Sequence, residues 1–190
     1  MSGHTTKKRG GLRWMVPAAV LLVLGLGAWE ALRLWSVAGV ATGQVIPDLT
    51  LPDLSGRAVA LSAFRGRPLV LRLSSVGCSY CSDDWSDLEG RQQEAAGRYQ
   101  IVAVEVGQSL GAVRTALAGL RSVLGEHQTT LPVLVDAEGR LARSLGLRGV
   151  PSYAFVDSQG RLVSLVWAAN QHTALSRDEW AYYLGRLLGK

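Results

Sequence analysis

The sequence is poor in cysteine, histidine and proline, with two, three and six of them in 190 residues. Two cysteines allow one disulfide and no more, which excludes a disulfide-stapled scaffold. His4, His127 and His172 lie far apart and lack ligand spacing. With only two cysteines beside them they do not make a zinc set, and no metal or cofactor is expected. A dense basic stripe is also missing. The formal charge is +5, yet Lys7, Lys8, Arg9 and Arg13 crowd the first thirteen residues without an acid among them. From residue 41 onward fifteen Lys and Arg face fourteen Asp and Glu, so no nucleic-acid partner is expected. The chain holds no internal repeat and no low-complexity tract. With 48% hydrophobic and 18% charged residues, it has enough apolar material to bury a core.

What the chain does have is one long apolar run. Trp14 to Trp29 carries no charge, and the pattern continues through Ala31, Leu32, Leu34, Trp35 and Val37. As a helix the uncharged part covers about 24 Å of a hydrocarbon core about 30 Å thick. Glu30 and Arg33 fall near enough to an interface to snorkel. The basic residues ahead of the run put the N-terminus in the cytoplasm and the body outside. The expected organisation is a cytoplasmic basic tail (1–13), a transmembrane anchor or signal segment (14–37), a linker (38–48) and a folded domain (49–190). A cleaved signal peptide is the alternative, with small residues at Ser36-Val37-Ala38 and Gly39-Val40-Ala41. Cleavage there would leave a long, charged stretch after the apolar run, which favours an uncleaved anchor. No cysteine stands just after the run, so a lipid-modified cysteine is excluded. Either way the body lies in an extracytoplasmic, oxidising space, periplasmic or on the outer face.

Within the body, Leu49-Thr50-Leu51 and Ala58 to Leu61 flank Pro52-Asp53-Leu54-Ser55-Gly56-Arg57, the turn chemistry of a β-hairpin. Pro68 to Leu73 and Gln100 to Val106 are mostly apolar and suit strands covered on both faces. Apolar spacing predicts helices over 81–98, 110–124 and 140–145. Leu131 to Val135 reads as a short strand. Ser152 to Val156 and Leu162 to Trp167 form a second hairpin through Asp157-Ser158-Gln159-Gly160. Ser176-Arg-Asp-Glu179 is a capping box ahead of Trp180, Tyr183, Leu184 and Leu187. Strands alternating with helices, then a hairpin and a last helix, describe an α/β domain with a central mixed sheet flanked by helices. Reactive groups in such sheets collect beyond the carboxyl ends of the parallel strands.

Both cysteines fall there, in Ser75-Val76-Gly77-Cys78-Ser79-Tyr80-Cys81. A helix starting at Cys81 would offer unpaired N–H groups and the positive end of its dipole, which favour thiolate over thiol. As a structural disulfide the pair would close almost no loop and contribute little. As half of a zinc site it lacks partners. Redox chemistry is the favoured reading. Cys78, nearer the strand end, is the expected attacking cysteine, and Cys81, further in and more buried, the expected resolving thiol. Asp83 and Asp84 would complement the helix dipole while slightly opposing thiolate at Cys78. Glu105 interrupts an apolar strand near its carboxyl end and has two readings. One is a strand-end acid facing solvent or an arginine. The other is a partly buried carboxylate that shuttles a proton on and off Cys81. Tyr80 and Trp85 are candidates for a substrate-facing surface, although aromatics on a helix are more often core.

Five segments occur in a telling order: Gly77-Cys78-Ser-Tyr-Cys81, Ile101-Val-Ala-Val-Glu-Val-Gly107, Leu131-Pro-Val-Leu-Val-Asp136, Gly149-Val-Pro151-Ser and Phe155-Val-Asp-Ser-Gln-Gly160. With Leu61-Ser-Ala-Phe-Arg-Gly66 and the opening hairpin, they resemble the membrane-anchored, thioredoxin-like thiol–disulfide oxidoreductases of the TlpA/ResA type over about residues 43–170. The resemblance implies a thioredoxin fold with an N-terminal β-hairpin extension. It implies a cis Pro151 beside the disulfide, and a Val150 whose backbone groups pair with the substrate polypeptide. It also implies a Cys78–Cys81 disulfide exchanged with cysteine-containing exported proteins, cytochrome c maturation being one such role. A membrane or extracytoplasmic redox partner would recharge the dithiol. The chain departs from the family pattern at Ser74-Ser75-Val76-Gly77, where an aromatic stretch is common. It departs again at Ser79-Tyr80, in place of Gly-Pro or Glu-Pro. Two rivals stand beside this reading. A thiol peroxidase would need a Thr-x-x-Cys setting that is absent, and a non-catalytic assembly or binding module has no need of both sulfurs.

Overall fold

The computed structural model describes residues 39–189 apart from 79–80, 82–84, 125–130 and 169–173, and gives 120–124 by backbone only. The expected tail and membrane segment lie outside the described residues. No helix among those described is long and apolar enough to cross a membrane.

The opening hairpin forms as its turn residues predict. Strands β1 (Thr50–Pro52) and β2 (Ala58–Ala60) pair antiparallel, with Leu51 opposite Val59. Asp53 ties the turn. Its Oδ1 accepts from the Ser55 hydroxyl at 2.6 Å and from the Ser55 and Arg57 N–H groups at 2.8 and 3.0 Å. The Ser55 hydroxyl and these neighbours hold the Asp53 carboxyl well below the usual carboxylate range. A single 3-10 turn, Leu61–Phe64, then leads into the main sheet.

That sheet has five strands in the order β5-β4-β3-β6-β7. They are β3 (Leu69–Ser74), β4 (Gln100–Val106), β5 (Val133–Asp136), β6 (Ser152–Val156) and β7 (Leu162–Trp167). Strands β3, β4 and β5 run parallel, and β6 runs antiparallel to its two neighbours, β3 and β7. Among the described residues four helices cover it: α1 (Trp85–Ala95), α2 (Leu110–Leu124), α3 (Arg140–Leu145) and α4 (Arg177–Leu187). Strand alternation sorts the core into two layers. Val70, Ile101, Ala103, Val135, Tyr153 and Phe155 face α1, α2 and α4 through Leu88, Val113 and Trp180. Leu71, Leu73, Val104 and Ala154 face the other way, toward α3 and the hairpin, through Leu141, Leu145 and Leu51. By the same alternation Arg72, Ser74 and Glu105 belong to the first face, among apolar side chains.

The 81–98 helix is shorter than expected. Its described part begins at Trp85, and Cys81 lies in a bend ahead of it. Consecutive turns do the work there: the Cys78 N–H donates to the Ser75 carbonyl and the Cys81 N–H to the Cys78 carbonyl, both at 3.0 Å. At the other end Ala96 and Gly97 take φ of 47° and 81°, which ends the helix before Arg98. Arg98 instead caps it, donating to the Glu94 and Ala95 carbonyls at 3.1 and 3.2 Å. The strand expected at 131–135 begins two residues later, at Val133, and runs through Asp136. The capping box forms as read: Ser176 accepts from the Glu179 N–H at 3.2 Å and Glu179 from the Ser176 N–H at 2.9 Å.

Asp136, which from sequence only closes the Leu131–Asp136 segment, anchors the passage from β5 to α3. It is buried, and its carboxylate accepts from the N–H groups of Arg140, Leu141 and Ala142 at 2.8, 2.9 and 3.1 Å. Those are donors that a helix start leaves without intrahelical partners. Asp136→Ala is expected to lower stability by about 2–4 kcal/mol through the lost cap and the stranded N–H groups. Urea unfolding would show this as a lower midpoint with an unchanged slope.

Candidate functional site

Parallel strands β3 and β4 end side by side, with Ser74 opposite Glu105. The chain leaves β3 through Ser75 and Val76 and turns at Gly77, whose φ of 96° suits glycine alone. Cys78 and Cys81 then form a disulfide, with Cα atoms 5.3 Å apart. Cys78 is partly exposed, whereas Cys81 is only 5% exposed.

The second loop at this end of the sheet comes from β6. Ser152 lies opposite Leu73, so Gly149-Val150-Pro151 leaves the sheet beside the cysteine loop. The Val150–Pro151 bond is cis, as the resemblance implied. The Pro151 carbonyl accepts from the Ala168 N–H at 3.0 Å. Val150 is partly exposed, and neither its N–H nor its carbonyl has a hydrogen-bond partner among the described residues. Gly149 meets Trp167 so closely that a Cβ would stand 2.7 Å from the indole Nε1. Tyr80, Asp83 and Asp84 lie outside the described residues. Trp85 is buried in the first core layer, the more common of its two readings, and also lines the cavity beside the disulfide.

That cavity, of about 120 Å³, is bounded by Val76, Cys78, Cys81, Trp85, Glu105 and Leu117, among others. Under it lies a polar cluster inside the apolar layer. Arg72 is wholly buried. Its Nη1 donates to Ser74 Oγ at 2.5 Å and stands 3.5 Å from Glu105 Oε1. Its Nη2 donates to the Cys81 carbonyl. The guanidinium carbon also sits 4.9 Å from the centre of the Trp85 ring, in cation–π range. The Ser74 hydroxyl donates to Glu105 Oε1 at 2.5 Å. Glu105 thus does face an arginine, and it also lines the cavity that both cysteines reach. It is 2% exposed, and its Oε2 has no hydrogen-bond partner among the described residues. Among the described residues no three His, Cys, Asp or Glu side chains group so as to hold a metal ion.

Arg72 and Ser74 were not singled out from sequence. The signal was present: one cation in an otherwise apolar strand, with the adjacent strand carrying one acid at the same end. Removing one member of a buried ion pair leaves the other charge uncompensated, at a cost of about 3–5 kcal/mol. Arg72→Met is therefore expected to destabilise the protein by that amount. Adding Glu105→Gln should recover a large part of it. Thermal or urea unfolding of the two single variants and the double would show the coupling; purely additive losses would count against it.

Residues 42–165 match the AhpC/TSA family. Thioredoxin-like protein YneN of Bacillus subtilis is 23% identical over 150 residues, which span 78% of this chain and 85% of that protein. Thiol-disulfide oxidoreductase ResA of the same organism is 20% identical over 161 residues, 84% of this chain and 86% of its own. The crystal structure of the exposed lipoprotein thioredoxin Etrx1 from Streptococcus pneumoniae aligns with a TM-score of 0.62 at 26% identity. That alignment covers 74% of this chain and 100% of the pneumococcal one. The chain belongs to the AhpC/TSA family, as a member with the thioredoxin fold.

Proposed function

We propose that this thiol–disulfide oxidoreductase works outside the cytoplasm, exchanging its Cys78–Cys81 disulfide with cysteine-containing exported polypeptides. The observation that carries the reading is the disulfide itself. It stands at the carboxyl end of β3, beside a cavity and next to a loop whose Val150 backbone groups have no partner among the described residues. In the reducing direction the Cys78 thiolate attacks a substrate disulfide, forming a mixed disulfide and releasing one substrate thiolate. Cys81 then attacks the Cys78 sulfur, which closes the enzyme disulfide and releases the second substrate thiolate. Two electrons pass to the substrate, and an extracytoplasmic or membrane redox partner returns the enzyme to its starting state. With a substrate dithiol the same steps run in reverse.

Burial supports this division of roles, because only the partly exposed Cys78 is open to a polypeptide. Val150 would pair its N–H and carbonyl with the substrate backbone, with Pro151 shaping that edge and Tyr80 facing the bound chain. Glu105 would take the proton of Cys81 as that thiol attacks; its unpartnered Oε2 and the shared cavity favour it. The basic tail and the apolar run at 14–37 support membrane anchoring with the domain outside. The pneumococcal relative is itself an exposed lipoprotein. Apocytochrome c is one substrate such a protein would serve.

The full-length protein is expected to reduce insulin with dithiothreitol as electron source. Cys81→Ser should accumulate mixed disulfides in cells and Cys78→Ser should not, and mass spectrometry should identify the trapped partners as exported proteins. Equal trapping by both variants would overturn the roles, and cytoplasmic partners would overturn the location. Glu105→Gln is expected to slow closure of the enzyme disulfide about 10²-fold and to alter its pH profile. An unchanged profile would remove Glu105 from the proton path.

A further inference from the structure

We propose that Arg72 is a positioning residue that sets the redox poise of the Cys78–Cys81 pair, an inference that rests on the oxidoreductase reading above. A cation buried in the central strand of a sheet is costly to keep. Here it is kept in hydrogen-bond contact with the main chain of a disulfide cysteine. Two of its contacts, Ser74 and Glu105, form the buried polar cluster. Two more lead to the reacting centre: the Trp85 ring lines the cavity, and the Cys81 carbonyl belongs to a cysteine of the disulfide. An ion pair that only filled the core would not need to bind the main chain of a redox cysteine.

Chemistry gives the cluster its consequence. With a thiol reductant such as glutathione, the enzyme disulfide and two thiols become the enzyme dithiol and one glutathione disulfide. The sulfurs are uncharged in the oxidised form. In the reduced form they carry protons or negative charge. The Arg72 guanidinium, bonded to the Cys81 carbonyl, favours the reduced form, and the Glu105 carboxylate opposes it. Both act in a buried, weakly screened place. The two side chains therefore pull the equilibrium in opposite directions. Because the Arg72 bond goes to the Cys81 carbonyl, it also holds that residue in register with Cys78 while the sulfur–sulfur bond is open. Proton transfer by Glu105 acts on rate, whereas this balance acts on the equilibrium, so the two roles are read out separately.

The experiment equilibrates full-length wild type, Glu105→Gln and Arg72→Met/Glu105→Gln in glutathione redox buffers and measures the fraction of dithiol. Glu105→Gln makes the cluster one charge more positive. It should raise the equilibrium constant for reduction about tenfold, a shift of about 30 mV toward oxidising potential. The double variant removes both charges and should fall back toward wild type by at least about fivefold. A constant unchanged within about twofold in Glu105→Gln overturns the proposal. So does a double variant that keeps the full shift, since loss of packing alone would not reverse its sign. If the double variant does not fold, Glu105→Gln decides alone. A wild type with no reversible dithiol equilibrium would overturn the oxidoreductase reading and this inference together.

Discussion

A guanidinium buried in the middle of a sheet must be compensated where it stands, because it cannot reach water and does not give up its proton. In this protein the compensation for Arg72 is what joins strand to strand and strand to site. Ser74 comes from the same strand two residues on, Glu105 from the next strand, Trp85 from the first helix and the Cys81 carbonyl from the disulfide loop. Four separate pieces of chain therefore converge on one side chain. The convergence depends on register: a slip of one residue in β3 would turn Arg72 to the opposite face and put Leu71 or Leu73 under the cysteines.

The sheet divides its labour between its faces. On one side α3 and the N-terminal hairpin close over an aliphatic layer, at whose edge the buried Asp136 caps α3. On the other, α1, α2 and α4 cover a layer rich in aromatic rings, where Trp180 meets Tyr153 and Phe155 edge to face at 6.0 and 5.8 Å. Only this second layer admits the polar cluster, and only at the end of the sheet where the cysteines lie. Rigid aromatic packing behind the cluster fits a site whose working groups have to stay in place through a bond-breaking cycle.

Much of this was legible in the sequence, for physical reasons that differ from element to element. Strand β4, helices α2 and α3, and the β6–β7 hairpin keep the expected bounds because hydrophobic period and turn residues agree there. The capping box at Ser176 was readable because it is a local interaction between residues three apart. The helix after the cysteines was less legible. Apolar spacing extends back to Cys81, but it does not register that backbone turns at Cys78 and Cys81 already hold that stretch. Arg72 and Asp136 were missed for another reason. Their partners are three-dimensional, and nothing in one strand says that a neighbour supplies the matching acid or that a carboxylate will fold back onto the next helix. Glu105 had two readings, and the structure shows the arginine of one and the cavity of the other on its two sides.

The contact between Gly149 and Trp167 carries a consequence for how the protein can change over generations. No side chain fits at 149 while the indole lies against its backbone, and the indole remains 40% exposed beside the loop that ends in Pro151. The two positions are therefore sterically coupled. A lineage that enlarges residue 149 must first shrink residue 167, and in doing so would remodel the flank of the loop that carries Val150. Drift at this rim should proceed by paired replacements, with single changes weeded out one by one.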